Sequence, residues 1–219
     1  MKNIVIIGAS GHSKVIIDIL EKLGIWNIIG YIDSFKKDSS FFGYPILGTE
    51  NELLNITREF NIVGGLIAIG DNLTRFKMVS KIENICPKFK FISAIHPNAI
   101  LGKAVVIGKG SVIMAGAIVN PDSKIGSHSI INTSSIIEHD SNIGDFSTIS
   151  PNVAMGGNVN IGNFSTIGIG ATLKHGITIE DDVIIGAKSL VLNNIKKNNL
   201  AYGIPVKIIR KRKRSDTYL

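Results

Sequence analysis

The chain has 219 residues, 44% of them apolar, with one cysteine and a formal net charge of +7, which suits one large or two small globular domains and excludes a disordered or fibrous chain. No apolar run approaches the ~18 residues of a membrane helix, and the start "MKNIVIIGASG" turns to glycine too early for a signal peptide, so a cytoplasmic protein without membrane insertion is expected. Cys86 cannot form an internal disulfide, excludes a Cys-based zinc or redox pair, and reads as a buried core residue.

In chain order, "KNIVIIGASGHSKVIIDILEKLG" is a short apolar strand, a glycine turn, and a helix with Val15, Ile19, Leu20 and Leu23 at helical spacing and Gly24 as its stop. "IIGYIDS" predicts a second strand ending at Asp33, "TENELLNITREF" a helix, "IVGGLIAIGDN" a strand ending at Gly70, and "NLTRFKMVSKIENI" another helix. This is a βαβ pattern with a parallel sheet. The turn Gly8-Ala9-Ser10-Gly11 can offer backbone N–H groups to a phosphate, and Asp33 stands where an acid can bind a ribose hydroxyl. The motif is G-x-x-G rather than G-x-G-x-x-G, so a purely structural turn stays open at this point.

From Ile95 to Val191 every sixth residue is apolar, with Ile131, Ile137 and Ile143 in the middle of the run. Four residues after many of these comes a small or β-branched residue, among them Ser111, Ser129, Ser147 and Ser165. Period six fits short flat strands joined by tight corners, so the chain coils. Glycines at many corners (Gly102, Gly108, Gly126, Gly144, Gly162, Gly168, Gly186) are expected to supply positive φ. Directly after Ile137, Glu138, His139 and Asp140 place two carboxylates around an imidazole. The six cationic residues among 207–214 leave the body nearly neutral and lack aromatic interleaving, so no nucleic-acid partner is expected; 207–219 read as a solvated, frayed tail, with phosphate binding second.

"IGKGSV", "IGSHSI", "IGDFST", "IGNFST" and "IGAKSL" resemble the hexapeptide repeats of left-handed β-helix acyltransferases. With "IIGASGHSKVIIDIL", "GYIDS", "AIGDN", "NTSSIIEHDSNIGDFS" and "YGIPVKIIR" in order, the chain resembles the two-domain sugar acetyltransferases: bacillosamine and perosamine N-acetyltransferases and sialic acid O-acetyltransferases. The resemblance implies an α/β Rossmann-like nucleotide-sugar-binding domain (1–92), an all-β left-handed parallel β-helix (93–206) and a basic tail (207–219). It implies acetyl-CoA as co-substrate, no metal, and a homotrimer with shared active sites. Ser10, Gly11, His12, Asp33, Ser34 and Gly70 match the positions that contact the nucleotide-sugar. Thr148, Ile169 and Ala187 match those along acetyl-CoA, although Thr148 replaces a histidine of the bacillosamine enzymes. His139 matches the catalytic base and Asp140 the acid that orients it, with Glu138 a second candidate for that role. N-acetylation of a nucleotide-linked amino sugar is the expected reaction, and O-acetylation of a sialic acid the alternative.

Two rival readings use the same coil. His175, thirty-six residues after His139, raises a zinc-dependent carbonic anhydrase, but Glu180 stands where that family has a further histidine. A structural or ice-binding solenoid would show outward threonine ladders, which this chain lacks. His96 and His128 read as surface or subunit-contact residues.

Overall fold

The computed structural model describes residues 1–36 and 38–216. They form two compact units, one within residues 1–70 and 74–97 and the other of 71–73 and 98–216.

In the first unit, β1 (Lys2–Ile7), α1 (Gly11–Leu23), β2 (Trp26–Ile32), a β3 (Ser40–Phe41) and β4 (Tyr44–Gly48) hairpin, α2 (Leu53–Glu59), β5 (Ile62–Ile67), α3 (Asn72–Ile85) and β6 (Lys90–Phe91) follow one another, with the first two residues of α3, Asn72 and Leu73, counting with the second unit. The sheet order is β3-β4-β2-β1-β5-β6, and β1 pairs in parallel with both β2 and β5. Ile4, Val5, Ile6 and Ile7 are all fully buried, because a central parallel strand is covered on both faces and so reads as a continuous apolar run. Each such side chain contributes roughly 1.5–3 kcal/mol relative to exposure. Helix α1 ends at Gly24, whose left-handed φ of 62° lets its N–H donate to the Leu20 carbonyl. Its buried residues are Ser13, Ile16, Ile17, Ile19 and Leu20; Ile19 and Leu20 lie inside as expected, whereas Val15 is exposed and Leu23 half-buried. Strand order reverses at β1, which leaves a crevice at the carboxyl ends of β1, β2 and β5.

In the second unit the sixfold rhythm becomes three stacked parallel sheets. Ile113, Ile131, Ile149, Ile167 and Ile185 pair in register on one. Val119, Ile137, Met155, Leu173 and Val191 do so on the second, and Ile125, Ile143, Ile161 and Ile179 on the third. These side chains fill the coil and are at most 3% exposed. The buried serines between them are satisfied by a ladder: Ser129 Oγ donates to the Gly144 carbonyl at 2.7 Å and accepts from Ser147 N at 3.2 Å, and Ser111, Ser147 and Ser165 repeat the pattern.

Three expectations are corrected here. The glycines Gly102, Gly108, Gly126, Gly144, Gly162, Gly168 and Gly186 do not carry positive φ. Where the first six of them sit, an added Cβ would come within about 2.6 Å of the next coil, usually its backbone nitrogen, as Gly126 does against Asp145 N; at Gly186 it would meet the Tyr202 side chain. They allow close stacking, while the left-handed corner lies two residues later, for instance at His128, Phe146 and Phe164; Asp140 takes the same corner position after Glu138. The basic segment is not frayed throughout: Asn199–Gly203 and Val206–Lys211 pair antiparallel, and Arg214 donates to both carboxylate oxygens of Asp182 at 2.6 Å while lying 4.0 Å from the Phe164 ring centre. Residues 217–219 of the expected tail lie outside the described residues. His96 and His128 are buried rather than on the surface; His128 stacks on Phe146, which stacks on Phe164, at 5.1 and 5.3 Å. Cys86 is free and buried, as expected.

Candidate active site

The crevice of the first unit holds a cavity of about 260 Å³ lined by Gly8, Ala9, Ser10, Asp33, Glu50 and Gly70, among others. Ser10, Asp33 and Gly70 of the expected nucleotide-sugar set therefore meet on one wall, whereas Gly11, His12 and Ser34 do not line it. Asp33 is held in place by backbone donors: Oδ2 accepts from Ala9 N at 2.6 Å, and Oδ1 from Phe35 N at 2.7 Å and Lys36 N at 2.9 Å. Its carboxylate thus ties the glycine turn to the loop after β2, with one lone pair of Oδ2 left over. Phe35 stands at the cavity mouth, 90% exposed.

Glu50 and Arg75 were not singled out by sequence. Glu50 is buried and accepts from the Ser34 hydroxyl and, at 2.9 Å, from Lys81 Nζ. Burial pushes its carboxyl up, but the hydrogen bonds from Ser34 and Lys81 together outweigh it and hold the group below its usual range. Arg75, 1% exposed, donates from Nη1 to the Ile69 and Gly70 carbonyls at 2.9 and 2.7 Å, which pins the turn after β5.

His12, in the first turn of α1, is pushed down to about 4, first by burial and then by the Arg75 charge. Between pH 4 and its unfolded value near 6.5 the unfolded chain binds the extra proton, so stability is fully present above about 6.5 and falls as the pH drops toward 4. Denaturant midpoints should decline over that window, and His12→Gln should flatten the decline; an equal slope in the variant would show that another group carries it.

In the second unit His139 occupies the corner between strands Ile136–Ile137 and Asn142–Ile143. Asp140 takes the left-handed corner position (φ 59°), which swings its carboxylate back to the preceding ring: Nδ1 and Asp140 Oδ2 are 2.7 Å apart. Both side chains are exposed, at 62% and 60%. The hydrogen bond to Asp140 raises the His139 pKa, opposed by desolvation and assisted by the charges of Asp140 and Glu138. Of the two flanking acids, Asp140 bonds the ring and Glu138 acts on it through charge.

Ile169 and Ala187 line a cavity of about 190 Å³ together with Ser150, Thr166, Gly168 and Gly186. Thr148 is buried on the neighbouring rung and is engaged elsewhere: its hydroxyl donates to Asn72 Oδ1 at 2.7 Å, and Asn72 Nδ2 donates to Thr166 Oγ1 at 3.0 Å. A larger, open hollow of about 610 Å³ runs along the polar face through Lys124, Asn142, Asn160 and Thr178 and does not include His139. Among the described residues no group of three or more His, Cys, Asp or Glu side chains is arranged to hold a metal ion, and no helix is long and apolar enough to cross a membrane.

Comparison with known proteins agrees with this layout. Residues 3–82 match the family described as the PglD N-terminal domain, and residues 158–193 match the bacterial transferase hexapeptide (six repeats). The chain is 35% identical over 115 residues to UDP-N-acetylbacillosamine N-acetyltransferase of Bacillus subtilis (strain 168); the match spans 52% of this chain and 52%, about half, of that curated relative. Among solved structures, a mutant of perosamine N-acetyltransferase from Caulobacter crescentus in complex with CoA and GDP-perosamine is 34% identical, with a TM-score of 0.90 over 96% of this chain and 98% of that one. The acetyltransferase domain of PglB from Neisseria gonorrhoeae FA1090 in complex with acetyl coenzyme A is 31% identical, with a TM-score of 0.88 over 95% and 99%. A Rossmann-like α/β unit joined to a left-handed parallel β-helix, matched along nearly its whole length to such enzymes, makes this chain a member of the two-domain hexapeptide-repeat sugar acetyltransferase family.

Proposed function

We propose that this protein is an acetyl-CoA-dependent N-acetyltransferase acting on the amino group of a nucleotide-linked amino sugar, for surface glycan or glycoprotein biosynthesis. The observation that carries the reading is the His139–Asp140 pair, 2.7 Å apart on an exposed corner of the β-helix, in a chain that aligns end to end with a perosamine N-acetyltransferase. Bound acetyl-CoA supplies an acetyl group activated as a thioester. Neutral His139 accepts at Nε2 the proton that the amine loses as its new C–N bond forms, the thioester C–S bond breaks and CoA leaves as a thiolate that takes that proton up as the free thiol; Nδ1–H donates to Asp140, which fixes the tautomer and stabilises the imidazolium. Because both relatives named for their substrates are N-acetyltransferases, the amine is favoured over the hydroxyl of the O-acetylation alternative.

The nucleotide-sugar is assigned to the 260 Å³ cavity at Ser10, Asp33 and Gly70, with Gly11, His12 and Ser34 beside it. The cavity at Ile169 and Ala187 suits acetyl-CoA: Ile169 is 54% exposed beside glycine and hydroxyl groups, which matches a chain of alternating methylenes and amides. The reaction belongs in the cytoplasm, where acetyl-CoA is made. An assay of acetyl-CoA against UDP-, GDP- and CMP-linked amino sugars tests the proposal: one sugar should gain an acetyl group stable to mild base. An acetyl ester, removed by mild base, would transfer the reading to O-acetylation, and no product with any sugar would overturn it.

Replacing Asp140 by asparagine removes the cause of the raised His139 pKa, so the acid limb of kcat/KM should move to lower pH while kcat falls. An unmoved limb would free Asp140 from its orienting role.

A homotrimer is part of the proposal. Ile130 and Ile184, which precede the inward residues Ile131 and Ile185 and so alternate outward, are already buried within the single chain. A largely apolar column does run along one face, through Ile100, Ile118, Ile136 and Ala154 in register from strand to strand, with Thr172 standing between Ala154 and Leu190. Such a column suits packing against further copies. Light scattering should give three times the 23.6 kDa chain mass, and an active monomer would rule the assembly out.

A further inference from the structure

We infer that Gly157 is a positioning residue for His139, its missing side chain forming the seat on which the imidazole ring rests. Gly157 lies one coil beyond His139 at the same corner, where Asn158 N donates to the His139 carbonyl at 2.8 Å. A methyl group at Gly157 would stand 2.7 Å from His139 Nε2, 2.8 Å from Cε1 and 3.2 Å from Cδ2; its three nearest neighbours all belong to that one ring. Non-bonded heavy atoms settle at about 3.5–4.0 Å, so ring and methyl cannot share the space.

Neither of the other reasons for glycine applies at this position. Gly157 is not among the glycines with positive φ, so the backbone there accepts an L side chain. Coil stacking does not demand it either, and the adjacent residue supplies the contrast: a methyl at Gly156 would meet the backbone nitrogen of His175 at 2.6 Å. Gly156 therefore serves the packing of the coils, and Gly157 serves the ring. The imidazole is placed at two edges, by the hydrogen bond from Nδ1 to Asp140 and by the space that the missing Cβ of Gly157 leaves beside Nε2. Any side chain at 157 lifts the second edge, and lifting it pulls Nδ1 off Asp140.

This inference rests on the reading of His139 as the base, and its test separates the two. Gly157→Ala should lower kcat about 10- to 100-fold, the scale of a misplacement near 1 Å, with both KM values little changed. The acid limb of the pH profile should move to lower pH as the bond to Asp140 is lost, and ring nitrogen resonances should report the same displacement of His139 without any turnover. Thermal stability of Gly157→Ala should fall with His139 present and not in the His139→Ala background, because the neighbour it crowds is then gone. An equal loss in both backgrounds, or an unchanged His139 titration, overturns the inference. A displaced ring with undiminished kcat would uphold the seat and remove His139 from the chemistry.

Discussion

His139→Ala is expected to reduce kcat by at least ~10²-fold while leaving the KM for acetyl-CoA nearly unchanged. The ring makes this a clean experiment. Its side chain is 62% exposed and, among the described residues, hydrogen-bonded to an equally exposed carboxylate, so truncation removes little packing and the melting temperature should hardly move. Added imidazole should restore part of the rate, since a soluble base can occupy the space that the side chain leaves. Turnover like that of the unmodified enzyme would sink the assignment, and attention would pass to His175, two coils away at the same corner and exposed.

The corner that carries His139 was legible because its surroundings are periodic. Ile131, Ile137 and Ile143 announce the register, and three acid–base side chains inserted after the second of them stand out against it. What the rhythm could not convey was contact between coils. Gly126 is a glycine because Asp145 passes over it, a relation visible only when the sequence is laid out in steps of a whole coil. His128 looked like a surface residue for the same reason: its neighbour is Phe146, one coil on, and the stack of the two rings has no local signature. Buried serine was equally ambiguous, since Ser129 is acceptable inside only because its hydroxyl reaches the Gly144 carbonyl of the following coil.

In the first unit the strands and helices with strong patterns emerged, with α3 over the very stretch Asn72–Ile85 that the pattern marked, but β5 ends at Ile67 rather than Gly70 and β2 at Ile32, one residue before Asp33. The β3–β4 hairpin did not emerge. Its turn is Phe42-Gly43, with φ of 44° and 82°, and a phenylalanine in the left-handed region is a conformation that sequence signals argue against. With the hairpin went Glu50, which follows β4 directly and supplies the buried carboxylate under Ser34. The expected ligand residue Asp33 was located correctly, but its partners were not: three backbone N–H groups converge on it, so part of its work is to shape the turn.

Gly70→Val should raise the KM for the nucleotide-sugar roughly tenfold or more, equivalent to about 1.4 kcal/mol of binding, and leave the KM for acetyl-CoA unchanged. Gly70 lines the 260 Å³ cavity, and a Cβ added there meets no atom within 4 Å, so the new side chain would enter the space assigned to the ligand and nothing else. Its φ lies outside the left-handed range, so valine is tolerated by the backbone, and its carbonyl can still accept from Arg75. Gly8 would be a poor choice for the same purpose: with φ of 98° and Ala68 O only 3.3 Å from an added Cβ, a substitution there strains the turn itself. Because Gly70→Val leaves the fold intact, a melting temperature close to that of the parent should accompany the KM change. If both KM values rise together, or neither does, the nucleotide-sugar binds elsewhere, and the assignment of Ser10 and Asp33 to it fails along with that of Gly70.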